Sequence, residues 1–351
     1  MIAARYRAFG ALRCLLALMV AVHHFQYLLP EAWRGPFHAL GLGVTAVAVF
    51  FVISGFIVAE ATASFYRARP GAFLLNRLLR LVPPYLAALA VSVAAHQLLW
   101  QAGMLRVWDF TFAEAPVAPR LLLGSLAALL PFVHGGQGGE IEFIPYVWSL
   151  RVEIAFYLVV CVLAMVLPRA ARRLRLAPAA AVDLCFAAGF AGTALLLVTG
   201  RPLMLLDIPF FLLGIAIFRV WRQPAADRLA LCAAAAAASW WSMRNWPQPP
   251  GRLADLQGLI FLALAAAFVL AGRLHLPQHL RRLDSALGSL SYPIYLNHYI
   301  VGILLFDGTT SRGWPLFAAG LLLSVLLAAV MHRIVEVPLY GLRNLVRGAA
   351  L

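Results

Sequence analysis

Three polar side chains in apolar surroundings give this sequence its potential for chemistry. Arg13 and His24 lie eleven positions apart in RCLLALMVAVHHFQYLL, residues 13–29. On a helix, eleven steps of about 100° return to within about 20° of the starting direction, about 16 Å along the axis. The two therefore share a face, whereas His23 points elsewhere and reads as a packing or interface residue. An imidazole placed this way can serve as a general base toward a hydroxyl, and a neighbouring carboxylate would fix its tautomer and stabilise its cation. Glu153, in YVWSLRVEIAFYL, is the carboxylate expected there. Counted along their helices, His24 rises about 22 Å from the inner end and Glu153 descends about 10 Å from the outer one, which brings them to similar depth. The competing readings are structural: Arg13 could snorkel to the inner surface, and Glu153 could pair with Arg13 or Arg151 merely to join helices.

Other polar groups fall in equally apolar stretches. NRLLRLVPPYL sets Arg77 and Arg80 one turn apart, and two guanidinium forks on one face suit a phosphate-rich ligand, although positive-inside placement explains either one alone. FFVISGFI carries Ser54 and Gly55, small residues that admit a thin ligand or a second helix. SLSYPIYLNH sets Ser291, Tyr295 and His298 at i, i+4 and i+7 on a helix that Pro293 should kink. Cys14, Cys161, Cys185 and Cys232 fall within apolar runs, show no metal-ligand spacing and give no reason to expect a disulfide framework.

The elements that must position these groups are membrane helices. Of the 351 residues 63% are hydrophobic and 12% charged, and the mean hydropathy of +0.87 excludes an ordinary soluble domain. Apolar runs long enough to cross about 30 Å of hydrocarbon fall near 9–29, 38–60, 82–103, 146–167, 177–199, 202–221, 227–243, 254–272, 287–306 and 315–338. The expected fold is thus an all-α polytopic bundle of about ten transmembrane helices, one membrane domain over 1–351. With the N-terminus inside, 18 of the 28 basic residues, all of them arginine, lie on inner flanks and 7 on outer ones, which places both termini in the cytoplasm. The net charge of +14 is then topological, and no solvated basic face argues for nucleic acid. The first run lacks a small-residue cleavage site and is retained as a span. The longest polar stretch, 104–145, holds a short apolar piece and the glycine-rich HGGQGGE, and reads as a lid, an acceptor platform or a plain connector.

Taken in order, LRCLLALMVAVHHF, FFVISGFIV, NRLLRLVPPYL, YVWSLRVEIAFYL, DIPFFLLGI, SLSYPIYLNH and IVEVPLY resemble the acyltransferase-3 family of integral membrane acyltransferases. The resemblance implies a ten-helix enzyme that moves an acyl group, commonly acetyl from acetyl-CoA, onto a hydroxyl of a sugar or related acceptor of the bacterial envelope, at the inner membrane. His24 takes the family's catalytic histidine position and Arg13 that of its paired arginine. Arg77 and Arg80 match the pair that holds the coenzyme's phosphates, while Glu153, Ser291, Tyr292, Tyr295 and His298 match motif positions of less settled role, taken here as acceptor-side contacts for the last four. The chain departs from the pattern at Gly10, where an acidic residue is usual, at Arg151, where serine is usual, and at Ile154-Ala155, where residues are more polar; it also ends before the soluble hydrolase-like domain that some members add.

The resulting expectation is that acyl-CoA, as a donor co-substrate with no permanently bound cofactor or metal, docks on Arg77 and Arg80 and threads past Ser54 and Gly55 toward His24. His24 would deprotonate the acceptor hydroxyl or carry the acyl group itself. The alternatives are an exporter using His24, Glu153 and His298 as a proton relay, and an assembly subunit.

Overall fold

The computed structural model describes residues 6–105, 118–131, 143–173, 175, 188–189, 191–192, 207–245 and 252–348. All regular structure in them is helical: α1 (Gly10–His24), a 3-10 turn (Phe25–Leu28), α2 (Glu31–Ala39), α3 (Leu42–Ala63), α4 (Pro70–Gln101), α5 (Pro119–Ala127), α6 (Val147–Arg173), α7 (Ile208–Arg222), α8 (Ala226–Arg244), α9 (Arg252–Ala271), α10 (Gln278–Gly308), α11 (Trp314–Met331), a π-helical turn (His332–Glu336) and α12 (Val337–Arg347). Among the described residues, six helical stretches are long and apolar enough to cross a bilayer: Gly10–Leu28, Glu31–Ala63, Pro70–Gln101, Val147–Arg173, Leu253–Ala271 and Trp314–Arg347. The runs expected at 202–221, 227–243 and 287–306 appear as α7, α8 and part of α10. The run at 177–199 and the HGGQGGE segment lie outside the described residues, apart from 188–189 and 191–192. This is a helical membrane bundle.

Its exposure pattern is that of a protein dissolved in lipid. Leu98, Leu123, Leu270, Leu322 and Ile334 stand on the outside, while Arg77, Ser291, His298 and Asn297 are buried. Hydrocarbon solvates leucine and penalises an unpaired polar group, so the polar side chains turn inward to find partners. Cys14, Cys161 and Cys232 are free thiols; Cys185 is outside the described residues. Gly41 ends α2 in the left-handed conformation, φ 57°, which lets the chain turn directly into α3. Trp33 and Trp314, ring centroids 5.5 Å apart and both exposed, sit together past the C-terminal end of α1, as aromatic residues of a membrane interface do.

Helix α1 packs chiefly on α10 and α3, and α3 on α7. The α3–α7 crossing is a contact of backbones. A Cβ on Gly55 would stand 2.2 Å from the carbonyl oxygen of Phe211, and one on Gly214 2.0 Å from that of Val52. Gly55 therefore does not belong to the coenzyme path assigned to it from the sequence: it faces a neighbouring helix, and only Ser54 beside it faces a cavity. Small residues that let membrane helices close up explain it fully. Gly55→Ala is expected to destabilise the fold by about 1–3 kcal/mol, the usual cost of overpacking, read as a lower thermal midpoint in detergent. Unchanged melting would mean that the crossing relaxes freely.

Candidate active site

The polar groups fall into two clusters strung along α10. At the arginine-rich end, called inner here, a basin of about 460 Å³ is lined by Arg7, Arg13, Arg77, Arg80, Arg343 and Arg347, with Glu60, Asp284 and Glu336 as its carboxylates. Glu60 is tied to Arg7 at 3.0 Å, Asp284 to Tyr6 at 2.6 Å, and Glu336 to His332 at 2.7 Å. Positive charge is thus in excess, and some of it is unspent: the buried Nε atoms of Arg77 and Arg343 have no hydrogen-bond partner. The π-helical turn His332–Glu336 inserts an extra residue into the helical repeat, and Glu336 within it lines the basin.

Above the basin lies a narrower chamber of about 80 Å³, which shares Arg13, Ile57, Arg77, Arg80 and Tyr292 with it and adds Ser54, Ser149, Glu153, Tyr157, Ser291 and Tyr295. Arg13 donates from Nη2 to Ser291 Oγ at 3.0 Å. Glu153 Oε1 accepts from Ser54 Oγ at 2.9 Å and from the Tyr157 hydroxyl. Tyr292 donates to the Leu81 carbonyl at 2.8 Å, fastening α10 to α4. Arg77 lies over the rings of Phe73 and Tyr157, 5.6 and 5.7 Å from their centroids, so its fork is held in one orientation.

The second cluster is the histidine pair. His24 Nδ1 and His298 Nε2 are 2.8 Å apart, and Tyr146 stacks on both, with centroids 5.6 and 4.6 Å away. Tyr295 bridges the clusters. It lines the chamber, its hydroxyl is 2.5 Å from Ser149 Oγ, and its ring centroid is 6.2 Å from that of His298. His23 packs its ring against Gly43, stacks on His38 at 5.6 Å and meets the His24 ring edge-on at 5.5 Å, without joining the nitrogen-to-nitrogen contact of the pair.

This arrangement revises several expectations. Arg13 and His24 do share a face, and both bond to α10, but Glu153 is not beside His24: its oxygen is taken by Ser54 and Tyr157, and it lines the cavity of Arg13. The segment that leads into α6 is packed inside the protein: Phe143, Ile144 and Tyr146, ahead of the helix, and Val147, its first residue, are buried, so a residue count from the start of the helix does not fix which neighbour Glu153 meets. Arg13 is no snorkelling residue, since its guanidinium is held by Ser291. Arg151 is buried, and its Nε donates to the Ala128 carbonyl at 2.8 Å, closing the C-terminal end of α5. Ser291, Tyr295 and His298 form the buried face expected of them, and α10 runs on unbroken through Pro293. Tyr157 was legible as the i+4 neighbour of Glu153. Tyr146, Asp284 and Glu336 carried no such signal.

An arginine basin thus shares its lining with a narrow polar chamber, and Tyr295 links that chamber to a hydrogen-bonded pair of histidines. Comparison with known proteins identifies the family. The family model described as "Acyltransferase domain" matches residues 6–333, and the chain belongs to that family, the acyltransferase-3 family of multi-pass membrane enzymes. It is similar to "Nodulation protein 10" of Rhizobium leguminosarum bv. viciae, with 30% identity over 325 residues, 85% of this chain and 82% of that protein. It is also similar to the "Putative membrane-bound transacylase BcsY" of Komagataeibacter xylinus, with 29% identity over 168 residues, 47% of this chain and 38% of that protein. No solved structure matches.

Proposed function

We propose that this acyltransferase moves an acyl group, specifically acetyl, from cytoplasmic acetyl-CoA to a hydroxyl of a carbohydrate acceptor of the bacterial envelope, and that it does so in the inner membrane with both termini in the cytoplasm. The observation that carries the reading is the continuity of basin and chamber. The basin offers six guanidinium groups, two with a buried unpartnered Nε, to a ligand rich in phosphate. The chamber, about 80 Å³, holds only a few waters' worth of space: it fits a thin thioester arm and excludes a nucleotide. Similarity to a protein named a membrane-bound transacylase supports acyl transfer at a membrane.

In this reading Arg77 and Arg80 hold the donor's phosphates, and Ser54 and Tyr295 line the path of its arm. His24 takes the proton of the acceptor hydroxyl as the oxygen bonds to the acyl carbon. The carbon–sulfur bond breaks, and the departing thiolate receives that proton. Glu153 holds Ser54 and Tyr157 in place and balances the charge of the arginines. The exporter alternative uses His24, Glu153 and His298 as a relay; His24 and His298 do meet, whereas Glu153 is bonded to Ser54 and Tyr157, and the alternative gives no reason for the arginine-rich basin.

Removing both forks by Arg77→Ala/Arg80→Ala is expected to raise the KM for acetyl-CoA about 100-fold. This corresponds to the loss of about 3 kcal/mol of charge-assisted hydrogen bonding, and is measured as transfer of labelled acetyl in membranes of the native host. An unchanged KM would remove the phosphates from this basin. The acceptor is found by mass spectrometry of envelope glycans with and without the gene, where one acetyl increment per modified sugar should disappear. Full retention of that increment would refute the carbohydrate assignment.

A further inference from the structure

We propose that His298 is a positioning residue that fixes the tautomer of His24, leaving the lone pair of His24 Nε2 as the reactive base; the inference rests on the reading of His24 given above. The assignment follows from donors and acceptors alone. His298 Nδ1 is 3.1 Å from the carbonyl oxygen of Ile294, which can only accept, so Nδ1 carries the hydrogen. A neutral imidazole has one N–H, so His298 Nε2 is an acceptor. The atom facing it at 2.8 Å, His24 Nδ1, must then be the donor. That leaves His24 Nε2 without a hydrogen.

The ring geometry agrees. The centroids are 5.0 Å apart and the planes differ by 10°; with facing nitrogens 2.8 Å apart the rings meet edge to edge in nearly one plane. This is the arrangement in which an N–H aims along the lone pair of a ring nitrogen. Everything around the pair locks it. His298 is fully buried, and its carbonyl partner lies one turn back on its own helix. Tyr146 covers both rings while its hydroxyl donates to the Leu296 carbonyl at 2.8 Å. His24, by contrast, is only partly buried. When its Nε2 takes the acceptor's proton, the imidazolium keeps its bond to the neutral His298 Nε2 and gains the π-face of Tyr146. Without His298, His24 is free to place its proton on Nε2, where it cannot accept another.

The test compares His298→Leu with His298→Gln in the full-length enzyme, in membranes of the native host, using labelled acetyl-CoA and the host's own glycan. Leu removes the acceptor; Gln retains a neutral oxygen that reaches His24 Nδ1. His298→Leu should lower kcat about 100-fold with the KM for acetyl-CoA within twofold of wild type, and His298→Gln should recover at least tenfold of that loss. Should the leucine variant fail to fold, His298→Asn, one methylene too short to reach, takes its place in the comparison. Wild-type kcat in the leucine or asparagine variant, or a glutamine variant no better than either, overturns the proposal. His24→Ala separates the two levels: if it is inactive while His298→Leu is fully active, only the role of His298 falls; if His24→Ala is itself fully active, the base assignment falls and this one with it.

Discussion

His24→Ala is expected to reduce acetyl transfer by about 10³-fold without changing the amount of folded protein. A positioned general base contributes about 10²- to 10⁴-fold to a proton transfer, and no other described side chain can replace it. His23, next in sequence, turns its ring to Gly43 and His38. His298 Nδ1 faces the Ile294 carbonyl and its Nε2 faces His24 Nδ1, so both of its ring nitrogens are occupied. The carboxylate of Glu153 is held by Ser54 and Tyr157 in the chamber below. The loss should therefore fall on kcat. In the proposed reading acetyl-CoA binds in the basin, whose lining does not include His24, so its KM should stay within about twofold, because an interaction made only in the transition state leaves ground-state binding untouched. The check is labelled acetyl transfer per folded molecule, with protein quantified by detergent gel filtration. A His24→Ala enzyme of wild-type rate would exclude the imidazole from the reaction, and one with normal kcat and raised KM would make it a binding residue.

Much of this site was legible in the sequence because membrane helices obey one strong rule: a polar residue inside the bilayer must face protein. Periodicity placed Arg13 and His24 on one face of α1, and Ser291, Tyr295 and His298 on one face of α10. The two faces indeed meet, through Arg13–Ser291 and His24–His298. Which polar residue meets which across helices was not legible. It depends on the axial offset of each helix, and because the segment ahead of α6 is packed inside the protein, counting residues along that helix does not fix which neighbour Glu153 meets. Gly55 illustrates a different limit. A glycine beside a cavity serine reads equally as a ligand path or a helix contact, and only the Phe211 carbonyl 2.2 Å from its would-be Cβ decides. The π-helical turn that delivers Glu336 to the basin shifts the register of α11 into α12, a feature that no 3.6-residue pattern announces.

Gly10→Val is expected to abolish both folding and activity, the larger structural effect of any single methylated glycine here. At Gly10 the backbones of α1 and α10 touch: a Cβ would stand 1.7 Å from the Asp284 carbonyl oxygen and 2.9 Å from its Oδ2, and the reverse contact, a Cβ on Gly288, would stand 2.8 Å from Gly10 Cα. The two decisive obstacles, the Asp284 carbonyl and the Gly10 Cα, are backbone atoms, so the helices would have to separate by more than an ångström. With that separation goes the cap of α1. Phe9 offers no side-chain cap; Asp284 serves instead, accepting from the N–H of Gly10 at 3.0 Å and of Ala11 at 2.7 Å and favoured by the helix dipole. Burial and its bond to Asp284 hold the Tyr6 hydroxyl well above its ordinary pKa, so it remains a donor to the same carboxylate. Position 10 is thus glycine where α10 needs the space, and a carboxylate is supplied to this helix end from α10 itself. Because α1 and α10 also carry Arg13–Ser291 and His24–His298, displacement at this point misaligns both clusters at once. Asp284→Asn separates the two roles of the contact. It keeps the close approach and removes the charge from this end of α1, so it should cost about 0.3–1 kcal/mol and leave kcat near wild type, any change falling on the KM of the donor because Asp284 also lines the basin. Gly10→Ala, the mildest steric probe, should already lower the thermal midpoint by more than Asp284→Asn and reduce transfer in whatever protein folds. An alanine variant as stable and active as wild type would show that α1 shifts without loss and that its register on α10 does not set the site.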